Sequence, residues 1–440
     1  MLPGFLARRL VGRDTVQRSL DNAFWLLADQ VVRMGAGLLV GVWLARYLGP
    51  EKYGWLSYAT AVVGTVTSFT TLGVNAVVVR ELAKTPADTD RWMGAAFFLK
   101  AAGAAAGFLI CVGVAWLQPA PSASTRPLIV IVALGMLFQT LDVIDLLFQA
   151  RGDSRVSAWV RIAACVLASL LKAGLILGGA GLPALAAAGV LEIAFCGAGW
   201  FWAARRSGLR AGHWPVEFGR VRGLLHESWP LALSGLAVYT QAYADQLVIA
   251  HDLGGEELGQ YAVAMRLIST FAFVPMVVYT VASPEITRAK RDNPVLYRKR
   301  MYDLYRLMNL LFLATAIPIF LGGTFAVKLL FGAAYGPASG LLPWLAFRLL
   351  FTNFGVARSV FITNEGLFRF GLVTAVAGAV TNIALNLWLV PAWGARGAIA
   401  SSLVSFAVTI FALEAAQPAA RANLRQMARA VFLPWRPFAG

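Results

Sequence analysis

WMGAAFFLKAAGAAAGFLICVGVAWL, residues 92–117, settles what kind of chain this is. Its 26 residues carry a single charge, Lys100. Wound as an α-helix at about 1.5 Å per residue, such a run can cross roughly 30 Å of hydrocarbon. It is rich in Ala, Leu and Gly and lacks apolar–polar alternation, which argues against a strand. Runs of the same kind recur at 22–46, 55–79, 92–117, 127–150, 156–178, 182–204, 228–250, 258–283, 304–330, 338–362, 367–390 and 395–416. Turn-forming segments separate them, among them LGPEKYG, QPAPSASTRP, ARGDSR, HDLGGEELG, TNEG and PAWGARG, in which Gly, Pro, Asn and Asp punctuate regular structure. The expectation is an all-α integral membrane protein of about twelve transmembrane helices.

Composition agrees. Of the 440 residues 59% are hydrophobic and 14% charged, and the mean hydropathy is +0.67. A soluble domain carries roughly a quarter of its residues as charges. Aromatics make up 12%, many at the ends of apolar runs, as interfacial belts require. The net charge of +16 lies in short loops between the runs, so it marks topology rather than a nucleic-acid-binding face. Cys111, Cys165 and Cys196 fall inside apolar runs, and His213, His226 and His251 lie in loops or at helix ends. None has metal-ligand or disulfide spacing, and no cofactor is expected. No GxxxxGK[ST] pattern occurs, which argues against ATP hydrolysis in this chain. The first run, Asn22 to Leu44, is interrupted by Asp29 and Arg33 and is too long for a signal peptide.

Lys and Arg set the orientation. With the N-terminus inside, 26 of the 38 fall in inside segments, seven within the membrane and five outside (Arg46, Lys52, Arg126, Lys328 and Arg396). Both termini are therefore expected in the cytoplasm. The longest polar connections are 205–227 and 284–303. The expected organisation is a cytoplasmic segment 1–21, an N-lobe 22–204, a linker 205–227, a C-lobe 228–416 and a basic cytoplasmic tail 417–440. ARYLGPEKYG (45–54) and AHDLGGEELG (250–259) follow the first helix of each half, and FQARGDSR (148–155) corresponds to ITNEGLFR (362–369). An even number of helices per half gives parallel halves related by an axis along the membrane normal. The pairs Asp29-Gln30 and Asp245-Gln246 do not belong to this repeat. Their offset is 216, against 205 for the first loop pair.

Twelve ionisable groups lie at bilayer depth: Arg33, Lys100, Arg161, Lys172, Arg266, Arg348 and Arg358 against Asp29, Asp142, Asp145, Glu192 and Asp245. Such groups face a cavity or a partner. Asp29 and Arg33 are four apart and can pair on one helix. Gln139, Asp142, Asp145 and Gln149 form a polar stripe; Arg161, Ser169 and Lys172 share a face, as do Tyr239, Tyr243 and Gln246, and Asn382 with Asn386. Lys100 and Arg358 lie near predicted cytoplasmic helix ends and are expected to snorkel, while Asp245, near an outer end, caps or pairs. The expected site is a cationic cavity of Arg33, Arg161, Lys172, Arg266 and Arg348. Its polar lining is expected to be Asp29, Gln139, Asp142, Asp145, Tyr239, Tyr243, Asn382 and Asn386. A guanidinium presents a planar fork to phosphate oxygens and stays charged at any working pH, so a pyrophosphate is the natural guest.

Five segments carry a resemblance to a known family: LARYLGPEKYGWLSYATA (44–61), LGVNAVVVRELA (72–83), ADQLVIAHDLGGEELGQYAVAMRL (244–267), VKLLFGAAYGPASGLLPWLAF (327–347) and GAVTNIALNLWLVPAWGARGAIASSLVS (378–405). The chain resembles, from about residue 20 to 416, the bacterial polysaccharide or O-antigen flippases of the multidrug/oligosaccharidyl-lipid/polysaccharide exporter superfamily. The resemblance implies two pseudo-symmetric six-helix bundles around a central cavity, working by alternating access in the bacterial inner membrane. It implies as cargo an undecaprenyl-pyrophosphate-linked oligosaccharide, moved from the cytoplasmic to the periplasmic leaflet. The two extra helices typical of the lipid II flippase branch are lacking, which points away from that cargo. Expected partners are the lipid-linked substrate, membrane lipid, and a polysaccharide polymerase with its export machinery, without nucleic acid. Individual arginines vary among members, so the five cations above rest on depth alone.

Three other readings fit the residues less well. An ion-coupled multidrug or cation antiporter of the same superfamily would need an acidic cavity, and the deep charges here lean basic. A membrane enzyme of polysaccharide assembly would show a large outer loop or an acidic nucleotide-sugar motif, and neither occurs. A purely structural subunit would leave twelve buried charges without a task. Proton coupling, if present, would use Asp29, Asp142, Asp145 or Glu192.

Overall fold

The structure, a computed structural model, describes residues 14–71, 73–117, 122–208 and 214–432. Arg8, Arg9, Arg13, Leu72, Arg210, His213 and Arg436 lie outside them, as do the side chain of Arg18, residues 118–121 of the QPAPSASTRP turn and the end of the 417–440 tail.

Among the described residues the chain is all helical, without a strand. In order the helices are α1 (Asp14–Thr70), α2 (Val74–Lys84), α3 (Thr89–Leu117), α4 (Thr125–Gln139), α5 (Val143–Ala150), α6 (Ser154–Leu177) and α7 (Leu182–Arg206). There follow α8 (Phe218–Asp252), α9 (Gly254–Phe271), α10 (Phe273–Asp292), α11 (Pro294–Phe331), α12 (Gly336–Glu365), α13 (Phe368–Trp393), α14 (Ala395–Ala407) and α15 (Arg421–Phe432). A π-helical turn, Val408–Ala412, and one further turn, Leu413–Ala416, extend α14.

Ten of these helical spans are long and apolar enough to cross a membrane. The expected count of about twelve is recovered from two features. α1 holds two of the expected runs, because Gly49 at φ 72° and ψ 171° interrupts it just before Pro50. α8 contains the run 228–250, whose apolarity is lowered from within by Tyr239, Gln241, Tyr243, Asp245 and Gln246. Large apolar side chains such as Leu117, Leu321, Phe325 and Trp388 stand exposed on the helix flanks. Hydrocarbon, not water, is the solvent that makes such flanks stable.

Three expected runs differ in detail. The run 55–79 breaks at Gly73, whose φ of 61° is left-handed. A Cβ there would also lie 2.7 Å from the Leu231 Cβ, so only glycine fits. The run 127–150 is cut by a 3₁₀ turn over Thr140–Asp142. The connection 284–303 is helical: α10 continues to Asp292, and α11 starts at Pro294. The Asn293 side chain accepts from the backbone N–H groups of Val295 and Leu296, with proline at the first helical position. The 38 residues of α11 span nearly twice the roughly 30 Å of a bilayer core, so one end stands in water.

The chain forms two compact units. One holds Met1–Tyr47 and Val62–Gly235, the other Leu48–Ala61 and Leu236–Gly440. Val74, Val78, Met93, Ile144, Phe148 and Leu224 centre the first core; Tyr305, Met308, Phe354, Val360 and Met427 centre the second. Segment 48–61 joins the second unit because two turns interlock through glycine. A Cβ on Gly54 would lie 1.9 Å from the Gly255 carbonyl oxygen, and one on Gly259 would lie 1.9 Å from that of Pro50. These contacts are copies of each other, since Gly54 and Gly259 differ by 205 in number, as do Pro50 and Gly255. The preceding glycines, Gly49 and Gly254, both take left-handed φ angles, 72° and 87°. The repeat glimpsed in LGPEKYG and LGGEELG is thus a repeat in backbone geometry.

Candidate functional site

In the first unit a chain of charges ties α1 to α5 and α6. The Asp29 carboxylate accepts from Arg33 Nε at 2.8 Å and pairs with Arg161 Nε at 2.9 Å. Arg161 Nη1 donates to Asp145 Oδ2 at 3.0 Å, and Gln149 Nε2 donates to the same oxygen at 2.9 Å. Further along α6, Lys172 pairs with Glu192 of α7 at 2.8 Å. Lys100 of α3 pairs with Asp142, beside a cavity of about 20 Å³ bounded by Thr70, Gln139 and Thr140. That is room for about one water. The four deep cations of this unit therefore meet four carboxylates.

The stripe expected on one face of a continuous fourth helix is split. The 3₁₀ turn at Thr140–Asp142 advances by about three residues per turn instead of 3.6. Asp142 consequently serves Lys100 on α3, while Asp145 serves Arg161 on α6. Lys100 does not snorkel: it is 6% exposed and paired.

In the second unit two charged pairs are sealed. Asp245 of α8 has no exposed surface, and its Oδ2 accepts from Ser402 Oγ at 3.1 Å, Arg348 Nη1 at 3.3 Å and the Tyr261 hydroxyl. Arg348 Nη2 donates to the Ala242 carbonyl at 2.9 Å. Arg358 does not snorkel either: its Nε donates to Glu414 at 2.7 Å and its Nη2 to Thr374 at 3.1 Å. Asn423 of α15 donates to the other Glu414 oxygen at 2.9 Å and accepts from the Tyr305 hydroxyl at 2.9 Å. Arg266 of α9 donates to the Tyr53 hydroxyl at 3.3 Å. Tyr239 and Tyr243 stack on α8 with ring centroids 4.4 Å apart, both half-buried.

Asn382 and Asn386 do not line an open surface. Both are wholly buried; Asn382 Nδ2 donates to Ser405 Oγ at 3.3 Å, and Asn386 Nδ2 to the Asn382 carbonyl at 2.9 Å. Asn382 ties α13 to α14, while Asn386 bonds back to Asn382 within α13 and leaves its own buried Oδ1 without a hydrogen-bond partner among the described residues. Sequence reasoning missed Glu414, Gln241, Ser402, Ser405 and Thr409. A signal existed: Ser401, Ser405 and Thr409 recur at four-residue spacing on one helical face. With Glu414 included, the deep charges number seven cations and six carboxylates, so the basic lean is small.

The two groups differ in reach. The Arg33 side chain is 38% exposed, whereas those of Arg348 and Arg358 are both 8% exposed. An exposed guanidinium held by a shared carboxylate can trade that partner for phosphate oxygens. Among the described residues no group of His, Cys, Asp and Glu could hold a metal.

Residues 43–340 match the family described as polysaccharide biosynthesis protein. No curated protein matches the chain. Among solved structures, the lipid II flippase MurJ in an inward closed conformation aligns with a TM-score of 0.72 at 11% identity, covering 94% of this chain and 92% of that one. An inward-facing multidrug resistance MATE family transporter of the MOP superfamily aligns at 0.69 and 15%, covering 90% and 95%. A MOP superfamily transporter from Pyrococcus furiosus, described as having a binding pocket of reverse polarity, aligns at 0.66 and 13%, covering 94% and 96%. At these identities the likeness shows the fold alone.

Proposed function

Because the chain belongs to the polysaccharide biosynthesis protein family and has the fold of MOP superfamily transporters, we propose that it is a flippase for undecaprenyl-pyrophosphate-linked oligosaccharide. It would carry the repeat unit from the cytoplasmic to the periplasmic leaflet of a bacterial inner membrane by alternating access, with both termini cytoplasmic. Polymerase and export machinery would take over the cargo outside. The observation that carries this reading is the half-open guanidinium of Arg33, which shares Asp29 with Arg161. A pyrophosphate oxygen can replace Asp29 as its partner without leaving that carboxylate unpaired, since Arg161 remains. Arg33, Arg161 and Lys172 are the proposed head-group ligands; Arg266 of the second unit donates instead to the Tyr53 hydroxyl of its own unit. Arg348 is assigned instead to holding α8 and α12 together through Asp245.

The balance of four cations and four carboxylates in the first unit favours a second reading, a proton-coupled cation antiporter. The test is transport in liposomes loaded with a lipid-pyrophosphate oligosaccharide. Wild-type protein should move the lipid, and Arg33→Gln should fold but fail. Expulsion of organic cations against a proton gradient, without lipid movement, would replace the flippase reading by the antiporter.

A further inference from the structure

At the end of the second unit that carries α15, the corner between α10 and α11 encloses a cavity of about 260 Å³. Lys290, Tyr297 and Arg298 line it from the corner, Glu365 from the end of α12, and Gln426 from α15. Its α15 wall is fixed. Asn423 bridges Tyr305 and Glu414, and Asn309 Nδ2 donates to the Ala430 carbonyl at 3.0 Å. The cavity is therefore built by buried polar contacts, not left by a loosely attached tail.

Its chemistry is rich in donors. The Lys290 ammonium pairs with Glu365 and sits 4.9 Å above the Tyr297 ring. Tyr297 is 6% exposed, yet its hydroxyl is buried without a well-formed hydrogen bond among the described residues. The Glu365 carboxylate interacts with that hydroxyl as well as pairing with Lys290, so both donors depend on one carboxylate. A buried donor that must share its acceptor gains a partner of its own from an incoming anion. Arg298 is exposed and adds a fork at the mouth. Against these donors stands one lining carboxylate, Glu365, which already serves Lys290. At about 260 Å³ the space lies just below the range of roughly 300–1,000 Å³ typical of drug-sized ligands. Its guest must be small and must bring oxygen acceptors bearing negative charge.

We propose that this cavity is a second anion site, which takes a phosphate monoester between Lys290, Arg298 and the Tyr297 hydroxyl. The phosphate could be that of a small soluble ester or the exposed head of phosphatidate. Placing the cavity on the cytoplasmic side rests on the topology proposed above; the binding does not. An occupant would join α15 to the α10–α11 corner and so stiffen the second unit.

The test uses the full-length protein in nanodiscs. In one arm, phosphatidylcholine discs are titrated calorimetrically with glycerol 3-phosphate. In the other, the melting temperature is compared between phosphatidylcholine discs and discs containing phosphatidate. Saturable binding in the first arm identifies a soluble ester; stabilisation in the second arm alone identifies the lipid head. In whichever arm responds, Arg298→Gln should weaken binding about tenfold. Tyr297→Phe should weaken it less, and Glu365→Gln should tighten it by freeing Lys290. Arg298 is exposed, so its replacement should leave folding intact. No response from wild type in either arm, or a response unchanged in both Arg298→Gln and Tyr297→Phe, overturns the proposal. Neither arm reads lipid flipping, so failure here leaves the transport reading standing, and failure of transport leaves this site standing.

Discussion

Two clusters of charge, one in each unit, are built from the same residue types and behave differently. Around Asp245 and Glu414 each charged group faces a fixed partner, and the carboxylates are wholly buried. Around Asp29, two guanidinia share one carboxylate and one of them reaches open space. A sealed pair acts as a bolt, because removing one member strands the other in a medium that cannot solvate it. A shared, half-open pair can lose a contact and keep its charge balanced. The first arrangement suits a scaffold and the second suits a site that must bind and release an anion.

The largest expected effect breaks the sealed cluster. Glu414→Ala leaves Arg358 buried without its carboxylate and removes an acceptor from Asn423. It should cost about 3–5 kcal/mol, read as loss of the monodisperse peak in detergent size-exclusion chromatography. A protein that survives with an unchanged melting temperature would show that the second cluster is not a bolt.

Next comes the glycine interlock. Gly259→Val places a branched side chain where even a Cβ would lie 1.9 Å from the Pro50 carbonyl oxygen. The expected loss is about 1–3 kcal/mol, typical of overpacking, and Gly54→Val should match it if the two contacts are true copies. Thermal unfolding followed by tryptophan fluorescence compares the pair. A large difference between them would undo the structural repeat.

Arg33→Gln sharpens the comparison from the other side. Its stability should fall by less than about 1 kcal/mol, as for other partly exposed pairs, while flipping of the lipid-linked oligosaccharide should drop at least tenfold, about 1.4 kcal/mol in the transport barrier. Melting and liposome transport, measured on the same preparation, separate the two. Equal losses in folding and transport would make the first cluster structural as well.

The smallest effect lies outside both clusters. The Arg80 guanidinium, hydrogen-bonded to Glu81 at 2.8 Å, holds the Glu81 carboxyl below its ordinary 4.5. A depressed carboxyl stabilises the fold above the unfolded value and loses that contribution as pH falls through the folded one. Arg80→Gln should therefore lower the melting temperature slightly at neutral pH, where the Glu81 contribution is fully present, and the difference from wild type should vanish as pH falls below the folded value. A large change at pH 7 would mean Arg80 does more than pair at the surface.

Much of the local structure was legible in the chain. Gly49 and Gly254 marked the breaks at LGP and LGG, since glycine takes left-handed φ without strain. Asp29 with Arg33 was legible because four residues make about one helical turn. Arg161 with Asp29 was not. These residues sit 132 apart, and nothing in either helix alone says that α6 comes to rest beside α1.

What the amino-acid sequence determined alone is the class and the approximate number of membrane-crossing runs. A run of some twenty apolar residues in hydrocarbon must satisfy its backbone internally, and a helix does so without any neighbour. Which charge meets which was decided only by packing. Asp245 finds Arg348 at a separation of 103 residues, and Arg358 finds Glu414 at 56. An ion pair depends on a few ångströms of distance and on burial, and both are properties of neighbouring helices rather than of either helix by itself.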